Sequence, residues 1–187
     1  MPHLKDKILL NRIKHDDHDA FGKAYDEYID QIYRFIYFKI GSKESAEDLT
    51  SSVFLKTWNY IQEKGTGNHK SIKPLLYRVA RTTVIDHYRK NQDDQISIDD
   101  LDTHASDIKD NSQDVHKQAE INSDMKVVRA KMRELKDEYR EVVVMRFIDE
   151  LSISEIAEIL EKNKGNVRVL VYRALKALRE IINNQES

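Results

Sequence analysis

The side chains in this sequence whose type and spacing could do chemistry are mostly cations. Residues 158–180, EILEKNKGNVRVLVYRALKALRE, carry six Lys or Arg between Lys162 and Arg179 and no acid until Glu180. On a helix, Val167, Leu170, Val171, Ala174, Leu175 and Leu178 form one apolar stripe. Asn166, Arg168, Val169, Tyr172, Arg173 and Lys176 are left facing out. Guanidinium and ammonium groups in such a row suit phosphate oxygens, and those near a helix N-terminus can reach base edges. A basic amphipathic helix is also often only a solvated face, so its surroundings must be read with it.

A second cationic run holds Lys70, Lys73, Arg78, Arg81, Arg89 and Lys90 against Asp86 alone. Between the two runs, Asp93 to Asp124 holds nine Asp and Glu120 against Lys109 and Lys117. The net charge of −2 therefore conceals two basic blocks around an acidic one, a pattern that points to nucleic acid at both ends.

Bond-making chemistry has little to work with. HDDHD, His15 to Asp19, is the one cluster resembling a metal site, and short matches of this kind are commonly false; a polar lead-in to a helix explains it as well. There is no Gly-rich phosphate loop and no nucleophile elbow. The sequence has no cysteine, which removes disulfides, thiol chemistry and Cys-type zinc sites. No catalytic residue, metal or cofactor is expected, and the chain is not read as an enzyme. No apolar run approaches the roughly 20 residues of a spanning helix, and MPHLKDKILLNRIKHDD lacks a signal-like core. The expectation is a soluble cytoplasmic protein with no membrane partner.

The elements that must position these cations are helices. Only 5 Gly and 2 Pro among 187 residues favour an all-α chain. Residues 19–40 repeat Phe21, Tyr25, Tyr28, Ile32, Phe35 and Ile36 at helical spacing, Gly41 offers a stop and Ser42 a new start. A second helix, KESAEDLTSSVFLKTWNYIQEK, aligns Ala46, Leu49, Val53 and Tyr60, and GTGNHKS reads as a loop. Ser71 can cap a third helix that tolerates Pro74 in its first turn and turns Leu76, Val79, Ala80, Val84 and Tyr88 inward. Periodicity fails from about Asn91 to Lys117 and returns near Ile121, with Met125, Val128, Met132 and Leu135. Asp137 can cap a helix that buries Val142, Val143 and Phe147. The chain is thus read as two small helical domains, 1–91 and 119–187, joined by an acidic flexible linker, 92–118.

Within the second domain, Ser152 or Ser154 can cap a short helix facing Ile156, Ala157 and Leu160 inward. EKNK with Gly165 makes a tight polar turn into the basic helix. Two short amphipathic helices so joined fit a helix-turn-helix, whose second helix enters the major groove.

YREVVVMRFIDELSISEIAEILEKNKGNVRVLVYRALKALRE resembles the DNA-binding region of ECF sigma factors, the bacterial initiation subunits of RNA polymerase. SAEDLTSSVFLKTW and LLYRVARTTVIDHYRK are similar to the N-terminal domain of the same group, in the same order. The resemblance implies partners: core RNA polymerase, duplex DNA at the −35 element, melted DNA at the −10 element, and room for an anti-sigma protein. It implies that Glu47, Asp48, Leu49, Ser51, Ser52 and Phe54 face the clamp of the polymerase's largest subunit, with Ser51 and Ser52 standing where Gln-Glu is usual. It assigns Arg78, Arg81, Thr82, Arg89 and Lys90 to the −10 element, with GTGNHKS lining a pocket for an extruded base. Leu75 and Thr82 stand there in place of a common Trp and Asn. It assigns Asn166, Arg168, Val169, Tyr172, Arg173 and Lys176 to the −35 element, with Leu170 joining the core.

A stand-alone helix-turn-helix regulator would instead carry an effector or dimerisation domain in residues 1–91. A non-DNA adaptor would use the basic patches on acidic proteins.

Overall fold

The computed structural model of the chain describes residues 2–67, 69–94, 128 and 130–183, and all the secondary structure among them is helical. Four helices form the N-terminal half: α1 (Pro2–Lys14), α2 (His18–Ile40), α3 (Lys43–Lys64) and α4 (Ile72–Asp94). After a helical turn over 130–134 come α5 (Asp137–Val143), which continues into a π-helical turn (Val144–Ile148), then α6 (Ile153–Leu160) and α7 (Lys164–Asn183).

Helix α1 has no counterpart in the sequence reading. It buries only Leu9, Leu10 and Ile13 among its apolar residues, too few to mark a stripe against the surrounding charges. The HDDHD segment makes the corner that follows. Asp16 adopts φ 61, and Asp17 caps α2 by accepting from the Ala20 amide at 2.9 Å and from Arg12 Nε at 2.7 Å. His18 stacks on Trp58, ring centroids 4.7 Å apart.

Gly41 ends α2 in the left-handed region at φ 82, its N–H donating to the Tyr37 carbonyl. Ser42 caps α3 by accepting from the Ser45 amide. Helix α4 carries Pro74 in its first turn and runs through Asp94, so residues 92–94, read as the start of the linker, are helical. No Gly or Pro stands between Arg89 and Asp94 to stop the helix. The rest of the linker, 95–118, lies outside the described residues, as do Ile121 and Met125.

Three details of the C-terminal half differ from the sequence reading. Asp137 is the first residue of α5 rather than its cap, which is Lys136 without a side-chain bond. The preceding turn is held instead by Arg140, which donates to the carbonyls of Met132, Arg133 and Leu135 at 2.7–3.1 Å. Phe147 is 49% exposed, because the wider π-helical turn offsets the register that an α-helix would have kept. Val128, also read as inward, is exposed too. Ser152, not Ser154, caps α6 in a full capping box with Glu155.

Buried side chains form one continuous core that runs from Phe35, Leu76 and Tyr77 to Leu151, Ile156 and Val167. Helix α6 packs on α4, and α5 on α2, so the two halves lie against each other.

Candidate nucleic-acid and partner interfaces

The polar turn Glu161–Asn163 separates α6 from α7, and Asn163 Oδ1 accepts from the Asn166 amide to start α7. Val167, Leu170 and Ala174 are buried beneath it. This fixes the rotation of α7 and leaves Asn166, Arg168, Val169, Tyr172, Arg173 and Lys176 exposed along one face. Tyr172 is 70% exposed and Val169 49%, so the cations of this face are interleaved with an aromatic and an aliphatic side chain. Leu170 is core, as its place on the stripe requires.

On α4, Thr82, Arg89 and Lys90 are exposed, whereas Arg78 and Arg81 are half-buried and already occupied. Arg78 bonds Glu161 at 2.6 Å and Arg81 bonds Glu141 at 2.6 Å. A recess of about 410 Å³ opens beside Arg78, Thr82 and Asp86, walled by Lys56, Tyr60 and His69 with Leu75 as an apolar lining residue. Burial, helped by the Arg78 charge, holds His69 below the usual imidazole range, which favours its neutral form there. Gly67 shapes this wall: at φ 53 a Cβ would come within 2.8 Å of the Tyr60 hydroxyl. Tyr77 is fully buried, but Tyr88, expected inward, is 43% exposed and donates to the Lys39 carbonyl at 2.6 Å.

On α3, Glu47, Asp48 and Ser51 are exposed and Leu49 and Ser52 half-buried. Phe54 belongs to the core: it is 3% exposed, with its ring 4.7 Å from Tyr25 and 6.3 Å from Phe21. Leu55, missed by the sequence reading, is 63% exposed. Its signal was its position seven residues after Asp48 and four after Ser51, which puts it on the same helical face.

A further set of polar residues lies between the halves. Asp149, its side chain fully buried, accepts from Arg34 at 2.8 and 3.0 Å and from the Tyr77 hydroxyl at 2.8 Å. Glu141, 2% exposed, meets Arg81 and, at 3.4 Å, Lys39, which also reaches Asp137 at 3.0 Å. Lys73 stands 3.9 Å from Glu155. Burial pushes the Asp149 carboxyl above its ordinary value, against the pull of Arg34 and Tyr77. Among the described residues no group of three or more His, Asp or Glu is placed to hold a metal, and no helix is long and apolar enough to cross a membrane.

Residues 24–93 match the family profile of sigma-70 region 2, and residues 125–178 that of sigma-70 region 4. The chain is 30% identical to the ECF RNA polymerase sigma factor SigW of Bacillus subtilis, over 93% of this chain and 95% of that protein. It is likewise 30% identical to the ECF RNA polymerase sigma factor BldN of Streptomyces coelicolor, over 93% of this chain but 64% of that longer protein. Its fold is similar to that of CnrH, solved in complex with the cytosolic domain of CnrY, at a TM-score of 0.70 and 18% identity, covering 96% of this chain and 98% of the other. It is also similar to that of the sigma factor RpoE, solved with the anti-sigma factor NepR from Bartonella quintana, at 0.63 and 19%, covering 87% and 96%.

Proposed function

The chain belongs to the ECF RNA polymerase sigma factors of the sigma-70 family, and from that premise we propose which surfaces carry promoter selection. Helix α7 reads the −35 element: Arg168 and Asn166 lie in its first turns, where base edges are within reach, and Arg173 and Lys176 farther along suit phosphates. Helix α4 and the recess beside it take the −10 element once the duplex opens. Arg78, Arg81, Arg89 and Lys90 hold phosphates, and the 410 Å³ recess with its Tyr60 and His69 wall accepts an unstacked base. The exposed row Glu47, Asp48, Ser51 and Leu55 faces the polymerase clamp.

The observation that carries this reading is the exposed face of α7, where six side chains including Tyr172 and Val169 are presented by a buried stripe on the other side. Both halves match the same family in the same order, which a stand-alone regulator with an unrelated N-terminal module would not produce. The chain works in the cytoplasm, contributes no bond chemistry of its own and leaves RNA synthesis to the polymerase. An anti-sigma protein is a further partner, supported by the fold shared with the RpoE that was solved bound to one.

The test is promoter binding with and without core polymerase. Each half alone offers too little interface for strong selectivity, so specific affinity should emerge when polymerase holds both. Equal specific affinity without polymerase would return the chain to the stand-alone regulators.

A further inference from the structure

Along the outward face of α7 the least polar side chains stand in the middle. Gly165, Val169, Tyr172 and Lys176 follow one another at steps of four, three and four, so they run along the midline opposite the buried Val167, Leu170 and Ala174. Arg168 and Arg179 flank this ridge on one side, Asn166 and Arg173 on the other. Arg168 and Arg173 are exposed and have no ion-pair partner among the described residues, whereas Lys176 stands 3.9 Å from Glu180.

Reach grows along the ridge: no side chain at Gly165, then valine, then tyrosine, then lysine. A recognition helix enters the major groove by its N-terminal end, where its first residues meet base edges, and the gap to the groove floor widens behind them. Side chains of increasing length along the midline fit that widening gap. Gly165 lets the leading turn come close, Val169 meets a base edge directly, and Tyr172 and Lys176 span the wider space toward the backbone. Asn166 and Arg168, beside the leading end, stay within reach of neighbouring bases, while Arg173 and Arg179 face the phosphates of the groove walls.

A valine against a base edge has no donor or acceptor to offer. Any amino group, carbonyl oxygen or ring nitrogen that it covers loses water without a replacement, which disfavours that base. The one alkyl group in the major groove is the C5 methyl of thymine. We infer that Val169 is a specificity-determining residue that packs on the methyl of one thymine in the −35 element, so this position is read by apolar contact and not by a hydrogen bond. The inference rests on the assignment of α7 to that element. A cytosine methylated at C5 presents the same alkyl group, so methylation at this position should strengthen binding in the same way.

The test uses the full chain with core polymerase on a promoter found by mapping transcript starts. Each thymine of the distal element, on either strand, is replaced singly by deoxyuridine, which removes only the methyl, and binding is measured by competition. At one thymine the parent should lose about fourfold in affinity, the share of one buried methyl group. Val169→Ala should show no such loss at that thymine, and Val169→Ile, which keeps the apolar contact, should retain it. At the same position 5-methylcytosine should bind more tightly than cytosine by a similar factor in the parent, and equally in Val169→Ala. Val169 is an exposed position, so both variants should keep the parent's circular dichroism. A uracil scan that is flat in the parent, losses that persist undiminished in Val169→Ala, or a distal element without thymine would overturn the inference. A flat scan with weaker core-polymerase binding by Val169→Ala would move this face to a protein contact and overturn it too. Arg168→Ala on the same templates separates the two levels. If it still alters preference at the distal element while the scan is flat, the methyl contact alone fails; if neither has any effect, the assignment of α7 to the −35 element fails with it.

Discussion

The hydroxyl of Tyr77 on α4 donates to the carboxylate of Asp149, 72 residues away, at 2.8 Å in a fully buried setting. Tyr77 sits one residue before Arg78, so this bond anchors the basic face of α4 to the C-terminal half. In Tyr77→Phe the buried carboxylate keeps Arg34 but loses a donor. Hydrogen bonds to charged groups contribute about 1.5–3 kcal/mol, and a loss of that order is expected in urea titration. The slope with denaturant should stay that of the parent.

A second buried acid gives a pH signature. Asp6 on α1 accepts from the Tyr28 hydroxyl, and burial raises its carboxyl above the ordinary value, with Glu27 adding to the shift while Tyr28 and Lys73 oppose it. A carboxyl whose folded pKa is raised binds its proton more tightly when folded, so its contribution to stability falls as pH rises from about 3.8 through the raised value. Asp149 acts in the same direction. The melting temperature of Asp6→Asn relative to the parent should therefore climb as pH increases through that window. A flat difference across it would contradict the buried-acid account.

Adjacent residues on α3 should fail in opposite ways. Phe54→Ala removes a core ring and should cost about 3–5 kcal/mol of stability. Leu55→Glu, at an exposed position, should leave the melting temperature within a few degrees of the parent and weaken binding to core polymerase. Unaltered polymerase affinity in Leu55→Glu would remove this face from the contact.

On α7, Arg168→Ala should cost about 1–3 kcal/mol and relax selectivity at one −35 position. Arg173→Ala should weaken all sequences alike and reduce the salt slope by about one phosphate's share. Unchanged initiation for both, with helicity intact by circular dichroism, would sink the recognition-helix assignment.

What was legible in the sequence was what local pattern controls. Gly41 and Ser42 mark the α2–α3 corner, a serine at 152 or 154 starts α6, and the Val167–Leu170–Ala174 stripe fixes which side of α7 is free. Those signals act over one or two turns, so the sequence carries them directly. Phe147 and Tyr88 were misjudged because an ideal helical period does not know of a π-helical turn or of a backbone acceptor at Lys39. The pairs between the halves were invisible for a different reason. Arg34 and Asp149 are 115 residues apart, and Arg81 and Glu141 are 60, so neither member signals the other and each reads as an ordinary surface charge. The basic run on α4 was therefore legible as a row of cations, but not the pairing of Arg78 and Arg81 with acids of the other half.

The central claim, that this chain selects promoters for RNA polymerase through α4 and α7, is tested most directly by reconstitution with core polymerase on genomic DNA, followed by mapping of transcript 5′ ends. The account predicts new starts that share two upstream elements at one fixed spacing, with Arg168→Ala altering preference only at the distal element. Starts that share no such pair, or that appear equally with core polymerase alone, would contradict it.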